Sequence, residues 1–440
     1  MTLKVDVETV DPIRRRLAVE VPAEEVSAEL EKAYVELGRA AKVRGFRPGH
    51  VPRRVLERLF GDRVRADVFA KLIQHSYAEV IEERRIEAVG QPEIVTEQAQ
   101  PGGALRYRAT VEVKPDVFVE RYTGLEVEQP VVTVTDEDIA AALERLRHAY
   151  AQLRPITERS QVEPGNVVTL DYEARVNGRL AGRGERRDIE IGANGFPPGF
   201  DQQLIGTTTG ADLDFVVDYP PDHGAAEVAG KPVHFRVHVH GVSRKELPPL
   251  DDEFAKDHGE CATLNELRER LRRQLEADAT RYADETVRRS LVSELAKAHD
   301  IPVPQALVQR RTEAMVEEVW REWQRQRVPP KRDAETLAHL RQELEPRARE
   351  QVKIGLLLEA VARQEDLRVD EEDLDARIAT LAAEAGAAAD RLRALYQDAG
   401  ARQELRSRMI QSRAVDVLLR HAKLKSVPHS RHVAEARENR

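Results

Sequence analysis

Arg44-Gly45-Phe46-Arg47-Pro48-Gly49-His50-Val51-Pro52 is a stretch that cannot continue a helix, because two glycines and two prolines fix it as a loop. Phe46 and Arg47 are left at its tip. Upstream, Pro22-Ala23-Glu24-Glu25 opens a helix with acids near the positive end of its dipole, and Val26, Leu30, Ala33 and Leu37 mark one face. Downstream, Val51 to Leu59 and Val64 to Arg84 read as two helices, with Val68, Leu72, Ile73, Tyr77, Val80 and Ile81 forming a buried stripe. Lys4 to Val21 alternates apolar with charged residues and breaks at Asp11-Pro12, as two strands joined by a turn would. Ile94 to Thr96 and Leu105 to Val113 alternate again. Residues 1–115 are therefore expected to form an α+β unit in the order strand, strand, three helices, strand, strand.

Residues 116–158 read as a linker, partly extended and then helical from Thr135 to Leu153, with a capping box at Thr135-x-x-Asp138. Residues 159–245 carry short β-rich runs punctuated by Asn177-Gly178, Gly192, Gly195, Pro197-Pro198-Gly199 and Pro220-Pro221, the pattern of a compact β domain. In its last strand Val233, Phe235, Val237 and Val239 alternate with His234, Arg236, His238 and His240. Residues 246–427 are helical, beginning with a capping box at Thr263-x-x-Glu266 and a stripe at Leu264, Leu267, Leu271 and Leu275. Further helices are expected near 304–327, 333–367, 370–386 and 401–424, with Pro346 kinking or dividing one of them. The polar tail, 428–440, is expected to be disordered.

The chain has 440 residues, of which 41% are hydrophobic and 33% charged, which excludes disorder along its whole length. A balance of 69 basic against 78 acidic residues, net −9, excludes a protein that coats nucleic acid over its whole surface. Cys261 is the one cysteine, so no intramolecular disulfide can form and a reducing cytosol is expected. Met1 to Asp11 lacks the apolar run of a secretory signal, and Ile354 to Ala362 is far too short to span a bilayer. Neither export nor membrane insertion is expected. His234, His238 and His240 on one strand face could hold a metal, but a polar strand face accounts for the alternation without one. Cys261 has no recognisable histidine partner, and no glycine loop is patterned to cradle a phosphate. No metal and no cofactor are expected.

Against that acidic background, Arg39 to Arg65 holds nine Lys or Arg and two acids. A basic loop with an apolar residue at its tip suits a ribonucleoprotein surface; a solvated helix pair with Phe46 folded inward is the plainer alternative. Gly45-Phe46-Arg47-x-Gly49-x-x-Pro52 resembles the ribosome-docking signature of the bacterial trigger factor family, and segment order and length agree over nearly the whole chain. The resemblance implies a multidomain α+β protein. It would have an α+β ribosome-binding domain, a small antiparallel sheet-plus-helix domain of the FK506-binding-protein type, and an extended all-α domain with arms. It implies docking roles for Phe46 and Arg47 within Arg44, Gly45, Phe46, Arg47, Pro48 and Gly49. Pro48 stands where the family often has lysine, and His50 is less basic than the lysine often found there, so docking is expected to lean on Arg44, Arg53 and Arg54.

The same resemblance implies that Tyr172, Phe196, Phe200 and Phe235 line a proline-binding pocket. Such a pocket needs no nucleophile: amide resonance sets a barrier of about 18–20 kcal/mol, and an apolar cavity favours the twisted, less resonant bond. Leu180 and Arg187 occupy positions where aromatics are usual, Pro197 replaces an aliphatic residue and His223 a tyrosine, which together imply weakened catalysis. In the helical region Met315, Val319, Trp320 and Trp323 are candidates for a client-binding surface, although apolar residues at this spacing usually bury. The expected function is a ribosome-associated, ATP-independent cytoplasmic chaperone that keeps nascent chains open and isomerises prolyl bonds. The expected partners are protein and RNA near the exit tunnel of the large ribosomal subunit, and unfolded polypeptides, without membrane or DNA. The resemblance leaves room for a homodimer away from the ribosome. The alternative is a free cytosolic prolyl isomerase or holdase.

Overall fold

The computed structural model describes residues 3–44, 46, 50–99, 102–156, 161–193, 196–197, 199–220, 228–259, 261–325 and 332–428. They fall into two compact units, one of residues 1–129 and 285–427, the other built on residues 130–284.

The first unit begins with a hairpin of β1 (Lys4–Asp11) and β2 (Arg14–Val21), whose turn is closed by Asp11 Oδ1 accepting the Ile13 N–H at 2.9 Å. Helices α1 (Ala23–Ala40) and α2 (Arg53–Glu83) follow, then β3 (Glu93–Ala99) and β4 (Leu105–Glu112), in a sheet ordered β1-β2-β4-β3. The two helices expected at 51–59 and 64–84 are one 31-residue helix. Gly61 looks like a break in sequence, but it is buried, and a Cβ there would come within 3.6 Å of the Tyr34 hydroxyl of α1. That is ordinary contact distance, and the helix carries a single glycine at a modest cost in stability. Leu17, Val19, Leu105, Tyr107 and Ala109 of the sheet pack on Leu30, Tyr34, Leu56, Val68 and Leu72 of the helices. Inside this core the Ser76 and Tyr107 hydroxyls meet at 2.8 Å, so neither polar group is left dry.

In the second unit α3 (Asp136–Ala149) is entered through a full capping box at Thr135 and Asp138. The expected extension of this helix to Leu153 is instead strand β6 (Gln152–Pro155), which pairs with Ser243 to Glu246. Strands β7 (Asn166–Val176), β8 (Arg179–Glu190), β9 (Asp212–Asp218) and β10 (Pro232–Glu246) complete an antiparallel sheet, with the short α4 (Phe200–Leu204) before β9. Strand β10 is the spine, paired with β7 on one side and with β9 and β6 on the other. Val233, Phe235, Val237 and Val239 are buried on one face, as the alternation requires. Helix α5 (Asp252–Gly259) and α6 (Leu264–Ala298) come next, with Phe254 and Leu267 packed on Leu143 of α3.

Returning to the first unit, α7 (Gln305–Arg325), α8 (Ala334–Gln364), α9 (Glu371–Glu384) and α11 (Ala399–His421) lie where four further helices are expected, and the short α10 (Ala389–Leu395) between the last two is an addition. Asp333, Asp370 and Asp398 cap α8, α9 and α11 by accepting the N–H three residues on. Helix α8 runs through Pro346 without dividing, and exposure of Gln342 lets water satisfy the carbonyl that proline cannot. Strand β5 (Glu126–Val131) pairs with β11 (Lys423–Pro428). Val119 and Val127 from the expected linker are buried with Leu291, Leu295 and Leu357. The end of β4 and the turn before β3 fasten the α+β part to the helices. Glu112 Oε2 accepts the Ala306 N–H at 2.7 Å, capping α7, whose own first turn has no acid. Lys114 pairs with Glu359 at 2.7 Å, and Gly90 lies so close to Ala306 that a Cβ would approach its methyl to 2.6 Å. Of the expected tail, residues 429–440 lie outside the described residues.

Candidate functional site

All four aromatics expected around a proline pocket converge. Tyr172 from the inner face of β7 meets Phe196 edge-on at 5.3 Å, and Phe196 stacks on Phe200 at 4.2 Å and 16°. Phe235 of β10 closes the group, 5.0 Å from Phe200 and 6.4 Å from Tyr172. The four differ in exposure: Phe200 and Phe235 are 0% and 1% exposed and form the floor, whereas Tyr172 and Phe196 are half-buried at the rim. Gly199, with φ 102°, allows the turn that delivers Phe200 at the head of α4. Asp201 Oδ2 accepts the Gly192 N–H at 2.8 Å and ties that helix to the turn after β8.

Three members of the site are absent from the sequence-derived set. Phe215 of β9 stacks on Phe235 at 5.8 Å, and the alternation Leu213, Phe215, Val217 would have shown it had the pairing partner been known. Tyr219 packs on the same core, and burial pushes its phenol above the ordinary range. At Gly184 a Cβ would run into the Tyr172 ring, so the bare backbone of β8 is what lets that ring lie flat. Leu180, expected at an altered pocket position, is 58% exposed, and Ala181 packs against the core instead. A register shift of β7 against β8 between Ala174 and Arg175 accounts for that reversal. Pro197 is half-buried beside Phe196; His223 lies outside the described residues.

On the opposite face each histidine has its own carboxylate. His234 Nε2 lies 2.7 Å from Asp214 Oδ1, His238 Nδ1 lies 2.7 Å from Asp212 Oδ1, and His240 Nε2 lies 2.8 Å from Asp171 Oδ2. The register of β9 against β10, invisible in the sequence pattern, supplies two of these acids. The Arg186 backbone N–H, followed by His240, holds the Asp171 carboxyl below its usual range. Among the described residues no group of three or more His, Cys, Asp or Glu is gathered around one point as a metal would require.

In the first unit, Ala41 and Val51 are buried and close the base of the α1–α2 loop. Phe46 is 40% exposed rather than folded inward. Gly45, Arg47, Pro48 and Gly49 lie outside the described residues. The three arginines expected to share docking differ. Arg53 is held by Glu31 and by Glu57 at 2.8 Å, with its guanidinium 4.9 Å above the Tyr34 ring. Arg44 and Arg54 have no carboxylate partner among the described residues. Of the client-surface candidates, Met315 and Trp320 are each only 5% exposed: Met315 packs with Ala348 and Leu344 of α8, and the Arg332 guanidinium lies over the Trp320 ring at 5.3 Å. Val319 and Trp323 remain partly exposed, with Trp323 edge-on to Trp320 at 6.0 Å.

Three family models match the chain. Residues 3–146 match the bacterial trigger factor protein, 158–240 the FKBP-type peptidyl-prolyl cis-trans isomerase, and 263–420 the trigger factor C-terminus. The trigger factor of Geobacter sp. (strain M21) is 35% identical over 430 residues, covering 97% of this chain and 99% of the relative. That of Halalkalibacterium halodurans is 35% identical over 415 residues, covering 92% and 96%. A solved structure of the trigger factor chaperone shares the fold, with a TM-score of 0.50 and 23% identity over 95% of this chain and 99% of that one.

Proposed function

This chain belongs to the bacterial trigger factor family, and from that premise we propose which of its residues meet the ribosome, the prolyl bond and the client. It is a chaperone that carries a peptidyl-prolyl isomerase domain of the FKBP type. The family of its N-terminal segment supports ribosome binding.

Docking is assigned to Phe46 and Arg47 within the loop Arg44 to Gly49, assisted by Arg54. The observation that carries this is the exposed Phe46 ring in the loop of a basic helical hairpin that also carries Arg44 and Arg54, which no acid engages among the described residues. Those groups can pair with phosphate while the ring meets a protein surface at the tunnel exit. Arg53 is assigned a positioning role, since its charge is already satisfied by Glu31 and Glu57. For isomerisation, Tyr172 and Phe196 would contact the proline ring over the Phe200, Phe215 and Phe235 floor. An apolar cavity of this kind stabilises the twisted amide by withholding the water that favours the planar, more polar form. Val319 and Trp323 are assigned to the client, with Met315 and Trp320 as their packing support. Binding by such half-exposed apolar groups releases without ATP. The setting is the cytoplasm, and the proposal extends to RNA contact at the exit and to a homodimer off the ribosome.

Co-sedimentation with purified 50S subunits at moderate salt tests the docking assignment. The natural chain should pellet with the subunits and Phe46→Ala/Arg47→Ala should stay in the supernatant. A natural chain that does not pellet would instead describe a free cytosolic isomerase or holdase.

A further inference from the structure

Strand β8 carries four arginines, and they end in different places. Arg183 is paired with Glu185, Arg179 stands at the hairpin end opposite Val176, and Arg186 lines a separate groove beside His240. Arg187 is the one that turns to the aromatic cluster. It is paired with Leu170, which is fully buried in the core of that cluster, and directly opposed residues of antiparallel strands share a face. Two residues further along β7, Tyr172 is opposed by Gly184, so Glu185 and Arg186 together face the single residue Asp171. This is a bulge, with Arg186 at φ 47° and its N–H held by Asp171 Oδ1 at 2.7 Å, and it brings Arg187 and Gly184 to the same side. A Cβ on Gly184 would collide with Tyr172 Cε1 and lie 2.8 Å from Arg187 Cγ, so the arginine stem and the rim ring meet at one point.

Arg187 is exposed and has no carboxylate partner among the described residues. The five acids of β7 and β8 are all engaged elsewhere. Asp171 holds His240, Glu173 holds Arg175, Glu185 holds Arg183, and Asp188 and Glu190 accept from Thr169 Oγ1 and Lys245 Nζ, each at 2.6 Å. An aromatic pocket therefore has an uncompensated positive charge at its mouth.

We propose that Arg187 sets a charge preference for the residue directly before the proline, favouring aspartate or glutamate there over lysine or arginine. The proposal rests on the assignment of Tyr172 and Phe196 to the proline ring and adds a specificity rule to it. The turning bond joins the preceding residue to the proline nitrogen, so with the ring on the aromatic floor that residue's side chain is held at the rim. The guanidinium meets a carboxylate there in water-screened surroundings, which contributes to selectivity more than to strength. A lysine at the same position meets a like charge and is disfavoured. Apolar residues keep their own attraction for the rim rings, so the rule orders the charged residues among themselves.

The test uses the full-length chain and three peptides Ala-Xaa-Pro-Phe with glutamate, glutamine or lysine at Xaa, isomerisation being read by NMR exchange. At low salt kcat/KM should be about three- to ten-fold higher for the glutamate peptide than for the lysine peptide, with glutamine between them and the gap closing as salt rises. Arg187→Gln should abolish the order, Arg187→Glu should reverse it and Arg187→Lys should keep it; all replace an exposed side chain, and circular dichroism checks the fold. Equal turnover of the glutamate and lysine peptides, or an order untouched by Arg187→Glu, would overturn the proposal while leaving the pocket assignment in place. Acceleration of none of the peptides, in a chain that still suppresses aggregation, would remove the pocket assignment and the charge rule with it.

Discussion

Tyr172 and Phe235 share one aromatic cluster, yet a truncation at each should report something different. Phe235 is 1% exposed, and Phe235→Ala should cost about 3–5 kcal/mol in chemical denaturation through the cavity it leaves. Tyr172 is half-buried at the rim, so Tyr172→Ala should leave the fold intact and lower kcat/KM on a proline tetrapeptide by roughly ten-fold or more. Unchanged turnover in Tyr172→Ala would detach this cluster from catalysis. Asp171 makes a pH prediction. Its folded pKa lies below the unfolded one, so its contribution is complete above the ordinary carboxylate range and is lost as pH falls through the folded value. Asp171→Asn should therefore lower the melting temperature near neutral pH, and the difference should vanish in acid. At this scale the sequence named four of the aromatics because residue type and a family pattern sufficed. It missed Phe215, Gly184 and the acids facing the histidines, because those depend on which strands pair and in what register.

Elements with a strong period were legible, and boundaries set by a partner were not. The β10 alternation, the α3 capping box and the C-terminal helices could all be read locally. Gly61 could not, since a glycine that ends a helix and one carried through its middle are the same letter. Strand β6 was hidden for a similar reason: four residues become a strand only because β10 is there to pair with them. Pro346 was expected to kink or divide α8, and the undivided helix makes a prediction of its own. Pro346→Ala restores a donor for the Gln342 carbonyl and should raise stability by about 1–3 kcal/mol in urea unfolding. A fall would mean that Leu344 and Ala348 need the geometry that proline imposes.

Across the molecule, the three kinds of part were legible from composition and punctuation, but their grouping was not. Residues 1–129 belong with 285–427 in one compact unit, an association across more than a hundred intervening residues that no local pattern announces. Glu112 carries much of the physical meaning of that association, because its carboxylate answers an N–H at the start of α7. Glu112→Ala should cost about 1 kcal/mol and speed hydrogen exchange in the first turn of α7 while leaving the β-sheet amides protected. Exchange unchanged at Ala306 would show that the cap contributes nothing.

That shared cap bears on how this chaperone can be dissected. A fragment cut after residue 115 loses more than its docking loop: α7 begins with no acid of its own, and the carboxylate it relied on leaves with the discarded piece. Weak holding of clients by such a fragment would then reflect a frayed arm, and adding back an aspartate at the head of α7 should recover activity that the missing ribosome contact never supplied.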